Sequence, residues 1–222
     1  MNLSHNALLL FKIITPLCYF LGLSPLLANQ NKLPIAEIKI GNQIWMTANL
    51  NVETFKNGDP IAQIKSKKEW REAGKIMRAG WCNFDTEKVY GLKYGKLYNW
   101  FAVNDPRGLA PEGWHIPSIA EWQELIQYLG GPNAASTVLK SKEHWFETGD
   151  NSSGFNAIPS GFRDADGIFG FMGEYAKWWC STEGDTKNAW CYYMTNTSKL
   201  IAKYYISKSY GLSIRCIKDV PK

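Results

Sequence analysis

The apolar residues between positions 119 and 129 recur at the spacing of one helix face. Counted from the first, they lie three, six, seven and ten residues on: Ile119, Trp122, Leu125, Ile126 and Leu129. Polar residues occupy the opposite face, as in an amphipathic helix. Ser118 precedes the run and Glu121 follows three residues later, which is a capping box, and Gly130-Gly131-Pro132 ends the pattern. The spacing therefore predicts a helix over 119–129.

Two further patterns in the first half predict a hairpin and a second helix. Within residues 35–52, isoleucines alternate with polar neighbours, and the Gly41-Asn42 pair supplies a tight turn before the next strand. Ser66 and Glu69 repeat the capping-box spacing. A short helix is therefore expected over 67–73, ending at Gly74.

Residues 155–217 change to short strands and turns. Aromatic and β-branched residues, which favour strands, crowd into three segments: NAWCYYMTN, KYYISK and GLSIRCIKD. A helical first half followed by a β-rich second half indicates the α+β class. Neither an internal repeat nor a linker divides the chain, so we expect one domain from about residue 35 to 219.

The first 28 residues differ in kind from the rest. They carry one lysine, no acid and a nearly continuous apolar run, which is typical of a secretory signal peptide cleaved near Ala28. An uncleaved anchor is the alternative, but the 16 residues from Ile13 to Ala28 fall short of the ~20 that span a bilayer. We therefore expect export to the periplasm, cell surface or medium, with no stable membrane span once the signal is removed.

Composition narrows the classes of partner. The chain of 222 residues has a formal charge of +5, and its densest basic cluster, KSKK at 65–68, is followed by Glu69 and Glu72. That arrangement favours a solvated face over a nucleic-acid groove. The 10 Trp, 11 Tyr and 10 Phe supply a large area for burial, for stacking on sugars or for a protein interface.

Four cysteines follow the predicted signal: Cys82, Cys180, Cys191 and Cys216. An even number in an exported chain indicates two disulfides, and three pairings are open. Cys180 and Cys191 flank a polar stretch between two aromatic strands. We therefore favour a Cys180–Cys191 bridge, which leaves Cys82 to pair with Cys216.

Catalytic signals are weak in this sequence. His115 lies between Trp114 and Ile116, which favours a packed ring bonded to the backbone, and His144 precedes Trp145. Asp164 and Asp166 stand two apart before Gly167, too few oxygens for a calcium loop, so a surface turn is favoured. No phosphate loop, Rossmann fingerprint or histidine cluster occurs. No catalytic residue, metal site or cofactor is predicted.

Seven fragments in order carry a family resemblance: GNQIWMTANLNV, GWCNFD, YGKLYNWFAV, LAPEGWHIPSIAEWQELIQYLGG, GFNAIPSGFRDADGIF, WWCSTE and LSIRCIKD. Together they resemble the Fibrobacter succinogenes major paralogous domain, a bacterial exported module, over residues 37–219. The domain is accordingly placed at 29–222. The resemblance implies a C-type-lectin-like α+β fold: two or three short helices packed on small antiparallel sheets, with a long-loop region.

The resemblance brings no settled activity with it. The E-P-N or Q-P-D and W-N-D motifs of calcium-dependent lectins do not occur. More distant likeness to formylglycine-generating enzymes implies two neighbouring reactive thiols, but Cys216 has no second cysteine a few residues before it. The sequence therefore favours a non-catalytic role over an enzyme of that kind.

In lectin-like folds ligands usually meet the long-loop region, here residues 160–192. Its candidate ligand-binding residues are aromatic: Phe169, Phe171, Tyr175, Trp178, Trp179, Trp190 and Tyr192, with Tyr193 beside them. Strand alternation predicts that at most one of Trp178 and Trp179 is free for a ligand. The favoured function is recognition of a polysaccharide or a surface protein. The alternatives are a structural part of an envelope or secreted assembly and, less favoured, the enzyme.

Overall fold

The computed structural model describes residues 35–147 and 149–220. The predicted signal peptide, 1–28, lies outside these residues. Within them, no helix combines the length and the apolar character needed to cross a bilayer.

Helices and short strands alternate along the first half, and strands fill the second. The α-helices are α1 (Lys67–Lys75), α2 (Lys88–Tyr94), α3 (Trp100–Val103), α4 (Ile119–Tyr128) and α5 (Pro132–Leu139). The strands are β1 (Glu37–Ile40), β2 (Gln43–Met46), β3 (Trp81–Cys82), β4 (Leu97–Tyr98), β5 (Trp114–His115), β6 (Ser160–Arg163), β7 (Phe169–Met172), β8 (Tyr175–Glu183), β9 (Asn188–Thr195), β10 (Ala202–Ser207) and β11 (Ile217–Lys218). The α+β class is confirmed, but the expected two or three helices are too few.

Helix α4 forms as its sequence predicts. The Ser118 side chain accepts a hydrogen bond from the Glu121 backbone, and the Glu121 side chain accepts one from the Ser118 backbone, so the capping box is complete. Gly130 and Gly131 both have positive φ and end the helix. Pro132 then begins α5, which the sequence pattern had missed: proline suits the first turn of a helix as well as it terminates the previous one.

The predicted N-terminal hairpin is present and joins the end of the chain. Strands β1 and β2 pair antiparallel around the turn at Gly41, whose φ is +61°. The C-terminal β11 lies between β2 and β5, with Ile217 opposite both Trp45 and His115. The first and last strands of the domain therefore share one four-stranded sheet.

The three-stranded sheet of β8, β9 and β10 is covered on both faces. In its register Trp179 pairs with Cys191 and Trp178 pairs with Tyr192. Trp179 and Cys191 belong to one buried apolar cluster, and Trp178 and Tyr192 belong to another. Because neighbouring side chains of a strand point to opposite faces, the sheet separates the two halves of the core.

Arg163 fixes the β6–β7 hairpin to the first half of the chain. Its guanidinium is fully buried and donates to the carbonyl oxygens of Ile64 at 2.7 Å and Lys65 at 2.8 Å. It also lies 4.6 Å from the ring centre of Trp70 on α1. These contacts satisfy the buried cation without a carboxylate and set the position of the hairpin that carries the candidate site.

Candidate functional site

Three of the predicted ligand-binding aromatics are core residues. Trp178 and Trp179 are both 0% exposed, and Tyr192 is buried and stacks on Trp122 with ring centres 5.2 Å apart. The sequence predicted that at most one tryptophan of the pair is free for a ligand, and in the structure neither is exposed. Alternation does point the two rings to opposite faces, but each face carries its own core cluster.

The other predicted residues divide among three places. Phe169 packs on Phe84, with ring centres 5.3 Å apart, and lies against Arg163. Trp190 lies 5.2 Å from Tyr205 on the neighbouring strand. Only Phe171 and Tyr175 lie together, with ring centres 5.0 Å apart. The seven residues therefore do not form one surface.

Phe171 and Tyr175 belong to a partly exposed group of four rings, which we call the aromatic platform: Phe162, Phe171, Tyr175 and Tyr210. Phe162 stacks on Phe171 with ring centres 5.3 Å apart and planes at 15°. Tyr175 meets Phe162 edge-on at 6.2 Å, and Tyr210 lies 6.0 Å from Phe162. Phe171 is 50% exposed and the other three are partly buried. The platform presents ring surface on a framework of β6, β7 and β8.

The backbone at Phe171 is held in an unusual conformation. Its φ is +61°, in the left-handed region where a bulky side chain is rarely found. The Phe171 carbonyl accepts a hydrogen bond from the Glu174 backbone at 3.0 Å, which closes the tight turn between β7 and β8. Such backbone strain amounts to about 1 kcal/mol or more and concentrates at functional sites. Here the left-handed conformation places the Phe171 ring on Phe162.

Lys177 lies beneath the platform. Its residue is 8% exposed, and its ammonium nitrogen lies 4.0 Å from the Phe162 ring centre and 5.3 Å from that of Tyr175. Among residues 35–147 and 149–220 it has neither an ion-pair partner nor a side-chain hydrogen bond. Burial lowers the pKa of Lys177. The platform therefore combines stacked rings with a cation whose hydrogen-bonding capacity is unused by the described protein.

Two residues of the platform, Phe162 and Tyr210, were missed in the sequence. The position of Phe162 depends on the direction that Arg163 takes in the structure. Its neighbour Arg163 carries a charge that folds inward to backbone carbonyls, and Gly161 packs against Phe84. Alternation along β6 then directs Phe162 to the other side. Tyr210 lies in the irregular segment after β10, where no periodicity applies.

His115 is held between two carboxylates. Its Nδ1 lies 2.7 Å from Asp219 and its Nε2 lies 2.6 Å from Glu121, so the expectation of a ring bonded to backbone is wrong. The Glu121 hydrogen bond raises the pKa of His115 against the effect of burial, and Asp219 adds to the rise. Burial raises the pKa of Glu121, but hydrogen bonds from His115 and Ser118 outweigh it and bring the value to about 2.

The His115 arrangement is a clamp between elements. Both ring nitrogens are engaged by acids, so neither accepts a proton from a serine or cysteine, as a general base must. Glu121 is at the same time the capping residue of α4, and Asp219 follows β11. The ring therefore joins the start of α4 to the end of the C-terminal strand.

The acidic loop after β6 behaves as a turn. Asp164 accepts a hydrogen bond from the Ile168 backbone at 2.8 Å, and the Asp164 backbone donates to the Ile168 carbonyl at 2.9 Å. Across residues 35–147 and 149–220, no group of three or more His, Cys, Asp or Glu side chains is arranged to hold a metal ion.

The expected disulfides are not formed in the structure. All four cysteines are buried free thiols. Cys191 shares a face of the β8–β9 pair with Trp179, whereas Cys180 lies in the cluster on the other face. Since bridged cysteines must direct their Cβ atoms at each other, the sheet register opposes a Cys180–Cys191 bridge.

The remaining pair is separated in the same way. Cys82 packs beside α1 in a third apolar cluster, and Cys216 packs in the cluster that holds Trp179.

Burial raises the pKa of Cys216 to about 12, and that of Cys82 likewise to about 12. A buried thiol that keeps its proton is a poor nucleophile, which opposes the chemistry of the formylglycine-generating enzymes.

Comparison with known proteins identifies the family of this chain. The model of the Fibrobacter succinogenes major domain matches residues 38–218, which confirms the family resemblance stated from the seven fragments. No curated protein and no solved structure matches the chain.

Proposed function

The chain belongs to the Fibrobacter succinogenes major domain family, and from that premise we propose that it is an exported, non-catalytic module that recognises glycans. The aromatic platform is the observation that carries this proposal. Partly exposed rings offer flat apolar area, and the CH face of a pyranose ring is the complementary surface. Lys177 supplies ammonium donors to a sugar hydroxyl or carboxylate.

The arrangement of the platform favours a preformed site. The β6–β7 hairpin is fixed by Arg163, and the turn at Glu174 holds Phe171 on Phe162. A ligand then binds without ordering these rings, so little of the binding free energy is lost. The platform occupies part of the region that the lectin-like resemblance assigned to ligands. A C-type-lectin-like fold, with its long-loop region at 160–192, belongs to the same proposal.

The test is glycan binding by the purified chain and by two phenylalanine variants. We expect wild type to bind members of an array of bacterial and plant polysaccharides, and Phe171→Ala to weaken that binding by about tenfold or more, as for an aromatic anchor that the ligand covers on binding. Phe146→Ala is the matched control, because Phe146 is 86% exposed and lies outside the platform. Its affinity is expected to equal that of wild type.

Two results overturn the proposal. One is an array on which wild type binds nothing. The other is equal glycan affinity in wild type and Phe171→Ala. Capture of a protein partner that Phe171→Ala releases, without any glycan binding, places an adhesion function on the same surface instead. Fractionation of the producing cells, with the chain found outside the cytoplasm, tests export separately.

A further inference from the structure

A second concave site lies away from the aromatic platform. It is a cleft of about 450 Å³. Its walls are the segment at residues 51–53, the segment at residues 63–65, strand β3 and helix α2. Its lining is mostly polar and includes three lysines, one glutamate and three side-chain amides. We call it the lysine cleft and define it by Glu53, Lys65, Asn83, Lys88 and Lys96.

Asn83 gives the lysine cleft an unused hydrogen-bonding group. The residue is 5% exposed and lines the cleft, yet its side-chain amide has no hydrogen-bond partner within residues 35–147 and 149–220. A Cβ atom at Gly91 would lie 2.1 Å from Asn83 Oδ1, so only glycine on α2 leaves room for this amide. The amide atoms are not sealed from solvent, so they are open to a ligand group that enters the cleft.

The charges of the cleft are unequal. Lys96 is compensated, because its ammonium lies 3.2 Å from Glu53 and 4.5 Å from the ring centre of Trp81. Lys65 and Lys88 form no ion pair or side-chain hydrogen bond with the described residues. Three lysines against one glutamate leave two positive charges over the cleft. Asp85 and Glu87 follow Asn83 in sequence but do not line it.

We propose that the lysine cleft binds an acidic monosaccharide unit. The volume of about 450 Å³ is enough for a small ligand such as a sugar unit. Lys65 and Lys88 attract the anionic group, and the Asn83 amide offers both a donor and an acceptor to ring hydroxyls. This inference stands independently of the aromatic platform, since neither site contains a residue of the other.

The probes separate the charged group from the sugar. Binding of galacturonate, glucose 6-phosphate, galactose and inorganic phosphate to the full chain is followed by NMR, using the side-chain amide resonances of Asn83. We expect galacturonate or glucose 6-phosphate to shift these resonances. Tighter binding of galacturonate indicates that the cleft prefers a carboxylate, and tighter binding of glucose 6-phosphate indicates that it prefers a phosphate. Galactose and inorganic phosphate are expected to bind more weakly, because galactose lacks the anionic group and phosphate lacks the sugar ring.

Lysine variants decide the assignment. Lys65→Gln and Lys88→Gln are each expected to weaken binding of the acidic sugar about three- to fivefold, the upper part of the range for one exposed charge pair. Lys68→Gln on α1 is the matched control and is expected to bind as wild type. Affinity that is equal for galactose and galacturonate, or unchanged in the double variant Lys65→Gln/Lys88→Gln, overturns the proposal. Both lysines are exposed, so these variants are expected to fold, which unfolding transitions verify.

Discussion

The guanidinium of Arg215 is bound by the side-chain oxygen of Asn49. Nη2 donates to Asn49 Oδ1 at 2.9 Å and Nε at 3.2 Å, and the same oxygen accepts from Trp178 Nε1 at 2.9 Å. Arg215 is fully buried, and burial lowers its pKa to about 9. Its other donors reach backbone carbonyls, among them those of Met46 and Phe155. A neutral amide therefore takes the place of a carboxylate at the centre of this fold.

Asn49→Ala should be strongly destabilising. The substitution leaves Arg215 and the Trp178 indole without their shared acceptor and removes donors to Tyr94 and Ser213. We expect the free energy of unfolding to fall by about 3 kcal/mol or more, since a buried charge loses its partner. Urea denaturation measures it, and Asn133→Ala on the exposed side of α5 is the control. Equal loss in both variants would show that the Asn49 amide is unimportant.

The His115 clamp makes stability depend on pH. The folded-state pKa of His115 is raised above 6.5, so its stabilising effect is complete below pH 6.5 and is lost as pH rises through the folded pKa. His115→Gln should therefore lower the free energy of unfolding more at pH 6 than at pH 9, by at most about 1 kcal/mol for this half-exposed group.

The measurement for the clamp is chemical denaturation of wild type and His115→Gln at both pH values. His144→Gln is the control, because the nearest acid to His144 is Glu143 at 3.9 Å. A pH-independent difference between wild type and His115→Gln would contradict the clamp. On the acid side, the contribution of Glu121 is present above pH 4.5 and is lost as pH falls toward about 2.

The cysteines should react only after unfolding. Burial raises the pKa of Cys191 to about 12, and the other three thiols are buried as well. We expect iodoacetamide to leave all four unlabelled in native buffer and to label all four in guanidinium chloride. Peptide mass mapping reports each position by itself. A cross-linked Cys180–Cys191 peptide would contradict the register of β8 and β9.

Local patterns predicted the elements that depend on local chemistry. The capping boxes at Ser66 and Ser118 and the glycine turn at Gly41 each place a helix or hairpin where it lies. The burial of Trp178 and Trp179 was not predictable in the same way. Alternation along a strand states which side chains share a face, but not whether one face or both are covered. That depends on α4 and on the segments at residues 98 and 213, which are distant in sequence.

The candidate site was only partly predictable for the same reason. Phe171 and Tyr175 were identified as aromatic residues of a loop-rich region, and they do meet. Their partners Phe162 and Tyr210 come from separate segments, and a sheet register brings Lys177 beneath them. Contacts of that kind depend on tertiary packing, which spacing along one strand does not record.

Core and platform aromatics should differ sharply on truncation. Trp178→Ala and Trp179→Ala each remove a fully buried ring and should lower the free energy of unfolding by about 3–5 kcal/mol. Phe171→Ala loses the stacked contact with Phe162. Alanine also relieves less of the strain of a positive φ than glycine would. The unfolding free energy of this variant should therefore change by about 1 kcal/mol at most. Thermal and urea unfolding compare the three. A stable Trp178→Ala variant would contradict the two-sided burial of the sheet.

Lys177 should be unfavourable for stability and favourable for binding. The cation is buried against rings with no acid beside it in the described chain, so Lys177→Met, which keeps the apolar stem, should raise the free energy of unfolding by about 1 kcal/mol. Since the folded pKa of Lys177 is lowered, the unfolded chain binds the proton more tightly, and the gain in stability should fade as pH rises toward 10.5.

Lys177→Met should also weaken the binding of any glycan held by the platform. Lys203→Met is the matched control, a lysine 5.2 Å from the ring centre of Trp190 on an exposed strand, and it should change neither quantity. Reduced stability with unaltered glycan affinity in Lys177→Met would show that the ammonium only supports the fold.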